Sequence, residues 1–441
     1  MKSPLPLSTG LLRLLLPAIA AGMCGLAFAQ PAADLRTLTL PSVENLLASK
    51  NRDIAIARRA LEQARADVQV AGQPPNPQFT WTTQNINPRL GVGAGPLRGK
   101  TVDSIARIDQ VLERGNKLGL RVDTAKRLEA AVGEDLNDTG RQQLLAVRAA
   151  YYDLLAAQEK LATAEDTAQL FGKSVDAAQT RQRAGDLAAA EVSRIRVDAL
   201  RAQNDARSAQ ADLSRARLAL AYLIGADAQA ADIRAVTPWP ARGATDFGQI
   251  EALVDRRPDV RAAQARVEAA DKARELAQAQ RTRDVSVGVQ LEHYPNSDTN
   301  TQGSGNSVGF SFSVPLFLRH NYDGTVARAL ADWYAARDSL ERVRAQALGD
   351  VLRARNDLES AAERLNRFET DLLPAAQKSA DAAEFAFKNG AISVMDLLDA
   401  RRTLKAVLID AANARADHAK ALAAWQSNIE LPRDNMIGAA Q

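Results

Sequence analysis

In two short segments of the second half of the chain, apolar and polar side chains alternate with a period of two residues. One segment runs from Val285 to Leu291 and the other from Val308 to Leu316, and mostly Ser, Gly or Gln separates the apolar positions. Because successive side chains of a strand point to opposite faces, this pattern predicts a strand pair with one apolar and one small, polar face. Such faces are typical of a transmembrane β-hairpin, and a soluble hairpin packed on helices is the alternative.

The first half carries a weaker version of the same pattern. Phe79 and Trp81 alternate with threonines, and residues 101–112 supply the return strand. The chain should therefore contribute four strands to a sheet. The positions predicted to face lipid are Phe79, Trp81, Val287, Val289, Leu291, Phe310 and Phe312.

Long segments around these strands have helical periodicity. From Val192 to Leu223, alternating steps of three and four residues meet only apolar side chains, half of them alanine. This seam predicts close side-by-side helix packing. Taken alone, it would favour an ordinary coiled coil or a spectrin-like rod.

The whole plan occurs twice. Matching residues lie 207 positions apart at Glu44 and Glu251 and 205 apart at Gly185 and Gly390, which indicates a duplication. The predicted units are a first repeat (30–225), a linker (226–245), a second repeat (246–432) and a tail (433–441).

Each repeat should contain a first helix, a strand pair, a very long helix and a return helix. The first helices are predicted over 42–72 and 246–281, and the long helices over 116–185 and 324–390. At 1.5 Å per residue each long helix is roughly 100 Å, and the two shorter helices stacked end to end would match it. Equal columns of this kind suit the wall of a tube.

Four strands cannot close a barrel alone, and unpaired strand edges in lipid cost several kcal/mol per backbone group. The pattern therefore predicts an α+β membrane protein in which several copies together form a β-barrel continued by an α-helical barrel.

Residues 1–29 are predicted to be a secretory signal. Lys2 and Arg13 precede or border an apolar stretch, and the small residues of Ala27-Phe28-Ala29 suit signal peptidase. Lipidation of Cys24, the only cysteine, is the alternative to ordinary cleavage. The formal charge of +3 gives no reason to expect nucleic acid as a partner.

Three features of the chain are characteristic: the duplicated plan, Ser313–Phe317 (SVPLF) and Gly390–Ala400 (GAISVMDLLDA). In these features the chain resembles the TolC family of outer-membrane efflux proteins over nearly the whole mature sequence. Asn76-Pro77 and Gln110–Lys117 (QVLERGNK) resemble the CzcC-like heavy-metal efflux branch. The resemblance implies a homotrimer with a twelve-stranded barrel in outer-membrane lipid and a helical tube across the periplasm. It also implies a periplasmic adaptor and an inner-membrane RND-type pump as partners, and heavy-metal cations such as cobalt, zinc or cadmium as cargo.

Gly185 and Gly390 lie where each long helix should reverse. A helix stop that needs a positive φ explains both glycines. The resemblance adds that these turns, with Leu187, Ile392 and Ser393, are the tips that contact the adaptor.

Asp396 and Asp399 should share one face of the helix that follows the second tip. Six such carboxylates in a trimer would concentrate cations at an entrance, and the resemblance places equivalent aspartates at the constricted mouth. A solvated acidic patch is the alternative. Glu191 is the matching position of the first repeat. Phe387 and Ile392 stand where drug-export members have a tyrosine and an arginine, so Arg401 and Glu191 are the candidates for closing the entrance.

No enzyme, cofactor or metal site is predicted. The three histidines are scattered, and Pro96 interrupts the glycines at 91–99 that superficially suggest a phosphate loop. A drug, solvent or polypeptide duct of the same fold, a periplasmic adaptor, and a structural coiled-coil protein of the envelope are the alternative functions.

Overall fold

The computed structural model describes residues 34–86, 102–241, 250–294 and 305–429. The predictions for the signal segment 1–29, the loop glycines 91–99, most of the loop 295–306 and the tail 433–441 fall outside these residues.

The four strands form one antiparallel sheet in chain order. They are β1 (Gln78–Gln84), β2 (Asp103–Leu112), β3 (Val285–Tyr294) and β4 (Gly305–Ser313). The pairing of β2 with β3 joins the hairpins of the two halves, so β1 and β4 are the outer strands. The prediction that the last strand reaches Leu316 was wrong, because β4 ends at Ser313 and Pro315 has no amide hydrogen to donate to a ladder.

In the described residues of the first half there are four α-helices: α1 (Leu40–Lys50), α2 (Arg52–Ala71), α3 (Lys117–Arg183) and α4 (Ala189–Leu223). With 67 residues, α3 is about 100 Å long. The single helix expected over 42–72 is broken at Asn51. This residue has extended dihedral angles, and its side-chain oxygen accepts a hydrogen bond from the amide of Ile54, which caps α2.

The second half contains α5 (Ile250–Val254), α6 (Pro258–Ala279), α7 (Asp323–Arg367), α8 (Leu373–Lys388) and α9 (Val394–Ile429). A π-helical turn, Phe368–Leu372, joins α7 to α8, so the second long helix is not uniform. Pro374 follows that turn and lacks the amide hydrogen that a regular helix would direct at the carbonyl of Thr370. The first helix of this half is also broken, with Pro258 opening α6.

The helices pack side by side along their lengths and form a layer, which we call the helical curtain. Helix α3 lies along α2, α4, α6 and α9, and α7 lies along α6 and α9. The ten seam positions from Val192 to Leu223 are all buried or half-buried. The same heptad positions in α9 include buried His418 and Trp425, because α9 is covered by α3 on one side and by α7 and α8 on the other.

The described part of the segment predicted as a linker belongs to the core of the first half. Ala235 bridges Leu38 in parallel pairing, and both residues are buried. The hydroxyl of Tyr151 donates to the Leu38 carbonyl at 2.9 Å and accepts from the Thr237 amide at 2.9 Å. These bonds attach the segment to the middle of α3.

Candidate functional site

The register of the sheet places all seven positions predicted to face lipid on one surface. Phe79 pairs directly with Ile108, Ile108 with Val289, and Val289 with Phe310, so these side chains form one row across four strands. They are exposed, with Phe310 at 83%. An apolar surface of this extent and exposure requires an apolar environment or a partner.

The opposite surface of the sheet holds every charged side chain of the described strand residues. The strand register puts four charged residues on the face opposite to that of Phe79: Asp103, Arg107, Asp109 and Glu292. Threonine, serine, glycine and glutamine occupy most of the other positions on this surface. The sheet therefore has one face suited to lipid and one suited to water.

Both helix reversals have the same geometry. Gly185 (φ 87°) and Gly390 (φ 74°) are left-handed. The amide of the residue after each glycine donates to a carbonyl five residues back, at 2.9 Å for Asp186 and 2.8 Å for Ala391. These are Schellman turns, in which glycine avoids the steric penalty of a Cβ atom. The repeat thus builds two equivalent tips at the end of the curtain remote from the sheet.

Asp396 has a local role that the spacing argument missed. The amide and hydroxyl of Ser393 donate to its carboxylate at 3.1 and 2.8 Å, and the amide of Asp396 donates to the Ser393 hydroxyl at 3.3 Å. This reciprocal pair is a capping box that begins α9, as the order Ser-x-x-acid signals. Asp399 is one turn further on, and its side chain is 79% exposed while lying 3.6 Å from the guanidinium of Arg402. Glu191 is exposed in the first turn of α4, where the N-cap is Ala188 and offers no side-chain cap.

Ion pairs connect the helices behind the tips. Arg401, which was a candidate for closing the entrance, pairs with Glu384 across the α8–α9 hairpin. Lys388 lies 2.9 Å from the same carboxylate, and its hydrogen bond, with the charges of Arg401 and Lys388, lowers the pKa of Glu384. The tip of the second repeat is therefore held together by charges within one hairpin.

A second set of ion pairs joins the two repeats. Asp198 of α4 is buried and pairs with Arg402 of α9, and Lys405, one turn further along α9, pairs with Asp205 at 2.6 Å. Sequence reasoning missed this connection. The one sign of this connection in the sequence is that Asp198 lies directly beside the apolar seam of α4. Coiled coils place interhelical charges at such flanking positions.

Leu187 and Phe387, one from each tip, line an apolar groove that continues along Val394 and Leu397. Leu187 also packs against the buried cluster formed by α3, α4 and α9. Ile392 is half-buried and Ser393 is exposed. The two tips therefore offer a joint surface with an apolar centre.

Within the described ranges, none of the helices combines the length and the hydropathy needed to span a membrane. In the same residues, no three His, Cys, Asp or Glu side chains are placed to share a metal ion.

A family model described as outer membrane efflux protein matches residues 43–226 and 250–427. The chain belongs to this family. The match covers both halves, and the predicted location in the outer membrane is confirmed. The family consists of channels rather than enzymes, so the chain is an outer-membrane efflux channel protein.

Individual relatives extend over most of the chain. The cobalt-zinc-cadmium resistance protein CzcC of Cupriavidus metallidurans is 25% identical over 83% of this chain and 84% of its own length. The pyoverdine export outer membrane protein OpmQ of Pseudomonas aeruginosa is 23% identical over 82% and 78%. The CmeC outer membrane channel of Campylobacter jejuni superposes with a TM-score of 0.76 over 89% of this chain and 86% of its own, at 14% identity. The predicted TolC-like α+β fold, with four strands in each chain, is thereby confirmed.

Proposed function

We propose that three copies of this chain assemble into a passive duct through the outer membrane. The observation that carries the proposal is the division of the sheet into an uncharged, exposed apolar face and a face with all the strand charges. The outer strands β1 and β4 have unpaired edges within one chain, and lipid does not tolerate such edges. Pairing β4 of each copy with β1 of the next removes every edge and gives a barrel of twelve strands, whose polar face encloses water.

The helical curtain continues this barrel as a tube. Helix α3, about 100 Å long, follows β2, and the column of α7, the π-helical turn and α8 follows β4; both run to the tips. We assign to a periplasmic adaptor the apolar groove lined by Leu187 and Phe387, together with the tip turns that contain Gly185, Gly390, Ile392 and Ser393. The adaptor would connect the duct to an inner-membrane pump, and the pump would supply the energy.

The cargo that we propose is a heavy-metal cation. The support is the likeness to CzcC over more than four fifths of both chains. The exposed carboxylate of Asp399, with Asp396 and Glu191 nearby in the first turns after the tips, would give an entrance that attracts cations. Export of an organic molecule is the second candidate, because OpmQ, a pyoverdine exporter by its name, is similar over nearly as much of the chain.

Planar-bilayer recording tests the duct. Purified protein should give ohmic channels with a preference for cations, and Asp399→Asn should reduce that preference. The substitution keeps the size of the side chain, and Asp399, unlike Asp396, accepts no hydrogen bond from a helix cap. Absence of channels would refute the duct, and channels with unchanged selectivity would refute the entrance ring.

Growth of a deletion strain tests the cargo. The strain should become sensitive to zinc, cobalt or cadmium and regain tolerance with the intact gene. Wild-type metal tolerance together with loss of secretion of an organic compound would refute the metal proposal and favour the second candidate.

A further inference from the structure

One ion pair lies on the polar face of the sheet, away from the helices and their tips. The guanidinium of Arg107 donates to the carboxylate of Asp109 through Nε at 2.9 Å and Nη2 at 2.7 Å. Nη2 also donates to the hydroxyl of Ser311 at 2.9 Å. The three residues come from β2 and β4, and they meet across β3, which lies between those strands.

The intervening strand leaves room for this pair. Asp109 is directly opposite Gly288 of β3, and Gly288 is directly opposite Ser311 of β4. A Cβ atom on Gly288 would overlap with Oδ1 of Asp109 and with Oγ of Ser311. The carboxylate and the hydroxyl therefore occupy the space that any larger residue would fill. The pair lies flat against the wall, and its side chains remain partly exposed, 37% for Arg107 and 24% for Asp109.

The net charge of the polar face depends on the Arg107–Asp109 pair. The strand charges on the polar face are Asp103, Arg107, Asp109 and Glu292, three negative and one positive, hence 1 − 3 = −2 for each chain. Because Asp109 neutralises Arg107, the net charge comes from Asp103 and Glu292. Without Asp109, the same wall would present an uncompensated guanidinium to passing ions.

We propose that the Arg107–Asp109 pair is a second selectivity element, located in the barrel wall and separate from the helix tips. Asp109 cancels the repulsion that Arg107 would exert on cations, and Arg107 holds the carboxylate against the wall. The intact pair leaves the lumen negative and favourable to small hydrated cations. This inference rests on the proposed duct, in which the polar face lines the lumen.

The test measures reversal potentials of single channels in a KCl gradient, with about 10 mM salt on the dilute side, where the Debye length is about 30 Å. Asp109→Asn should lower the cation-to-anion permeability ratio, and Arg107→Gln should raise it, each by about two- to fivefold. The double variant, which keeps the wild-type net charge, should return the ratio close to its original value.

Opposite shifts from two adjacent substitutions distinguish an electrostatic role from damage to the sheet, because damage would move both single variants in the same direction. Conducting channels in which both variants keep the wild-type ratio, or shift it in the same direction, overturn the selectivity element and leave the duct in place. Absence of conductance in the wild-type protein overturns the duct and this inference together.

Discussion

The joint between α5 and α6 depends on a buried charge, and Asp259→Asn should weaken the helical curtain there. The side chain of Arg257 is only 4% exposed and donates to Asp259 through Nη2 at 2.7 Å and Nε at 3.1 Å. Arg257 also reaches Asn428 of α9 at 2.5 Å and Asp350 of α7 at 3.4 Å, so one guanidinium connects three helices.

The magnitude follows from this burial. The amide introduced by Asp259→Asn could offer one acceptor oxygen but no charge to a guanidinium that water cannot reach. Hydrogen bonds to charged groups contribute about 1.5–3 kcal/mol each, and breaking a buried pair costs about 3–5 kcal/mol. Because Asp350 would still partly compensate Arg257, we expect a loss of about 3 kcal/mol in the free energy of unfolding. Urea titration of the far-ultraviolet circular dichroism in detergent measures it.

Asp255→Asn is the matched control at the same joint. Asp255 pairs with Arg344 of α7 at 3.0 Å, but both side chains are at least half exposed, and exposed pairs contribute about 1 kcal/mol or less. Equal losses for the two variants would refute the argument from burial.

The pH dependence of the Asp259→Asn effect gives a second check. Burial alone would raise the pKa of Asp259, but the hydrogen bonds and charge of Arg257 outweigh burial and lower it. A carboxyl whose pKa is lowered on folding stabilises the protein above its unfolded pKa, and that contribution is lost as the pH falls through the folded pKa. The difference between wild type and variant should therefore be full at neutral pH and shrink below about pH 4. A difference that stays constant down to about pH 2 would contradict the charge-based account.

Three further predictions concern the tips and the long helices. Ser393→Ala removes the N-cap of α9 and should cost about 1 kcal/mol, measured by urea titration, and no loss would contradict the capping box. Gly390→Ala should also destabilise the protein, by about 1 kcal/mol, because φ is 74° there. Gly349→Ala in the middle of α7 should instead stabilise the protein by a similar amount, because its Cβ position is surrounded by open space. Changes of the same sign would contradict the turn geometry. Asp198→Asn changes a buried carboxylate and should speed hydrogen exchange in the first turns of α9, whereas Asp205→Asn, at an exposed carboxylate, should change it little; equal effects would contradict the importance of the buried carboxylate.

The periodic features of the chain were the ones that sequence could predict. Alternation in β3 and β4 identified the apolar surface. A strand has only two faces, and a shift of one residue would move every side chain to the other face, so the pattern determines which residues share a surface. The seam of α4 and the reversal at Gly185 were equally predictable from the sequence, since heptad spacing and a helix-stop glycine are local signals. The duplication then extended each assignment to the other half.

Local interruptions were not predicted. The breaks at Asn51 and Pro258 leave the apolar periodicity of the first helices unchanged. The pattern alone therefore predicts one continuous helix in each half. Residues 226–245 were interpreted as a linker because they contain Pro and Gly, whereas Leu38 and Ala235 meet through a long-range pairing that no local pattern encodes.

At the candidate site, spacing predicted a shared face for Asp396 and Asp399 but not their different surroundings. Asp396 belongs to a capping box with Ser393, and only Asp399 is free of the cap. The Arg107–Asp109 pair was also missed, because its recognition needs the register that sets Gly288 opposite Asp109.

The mass of the purified protein in detergent tests the central claim most directly. Light scattering, corrected for bound detergent, should give three copies of the mature chain per particle, since the open edges of β1 and β4 have to pair with other copies. A particle that contains a single chain, with both faces of its sheet accessible to water, would contradict the duct.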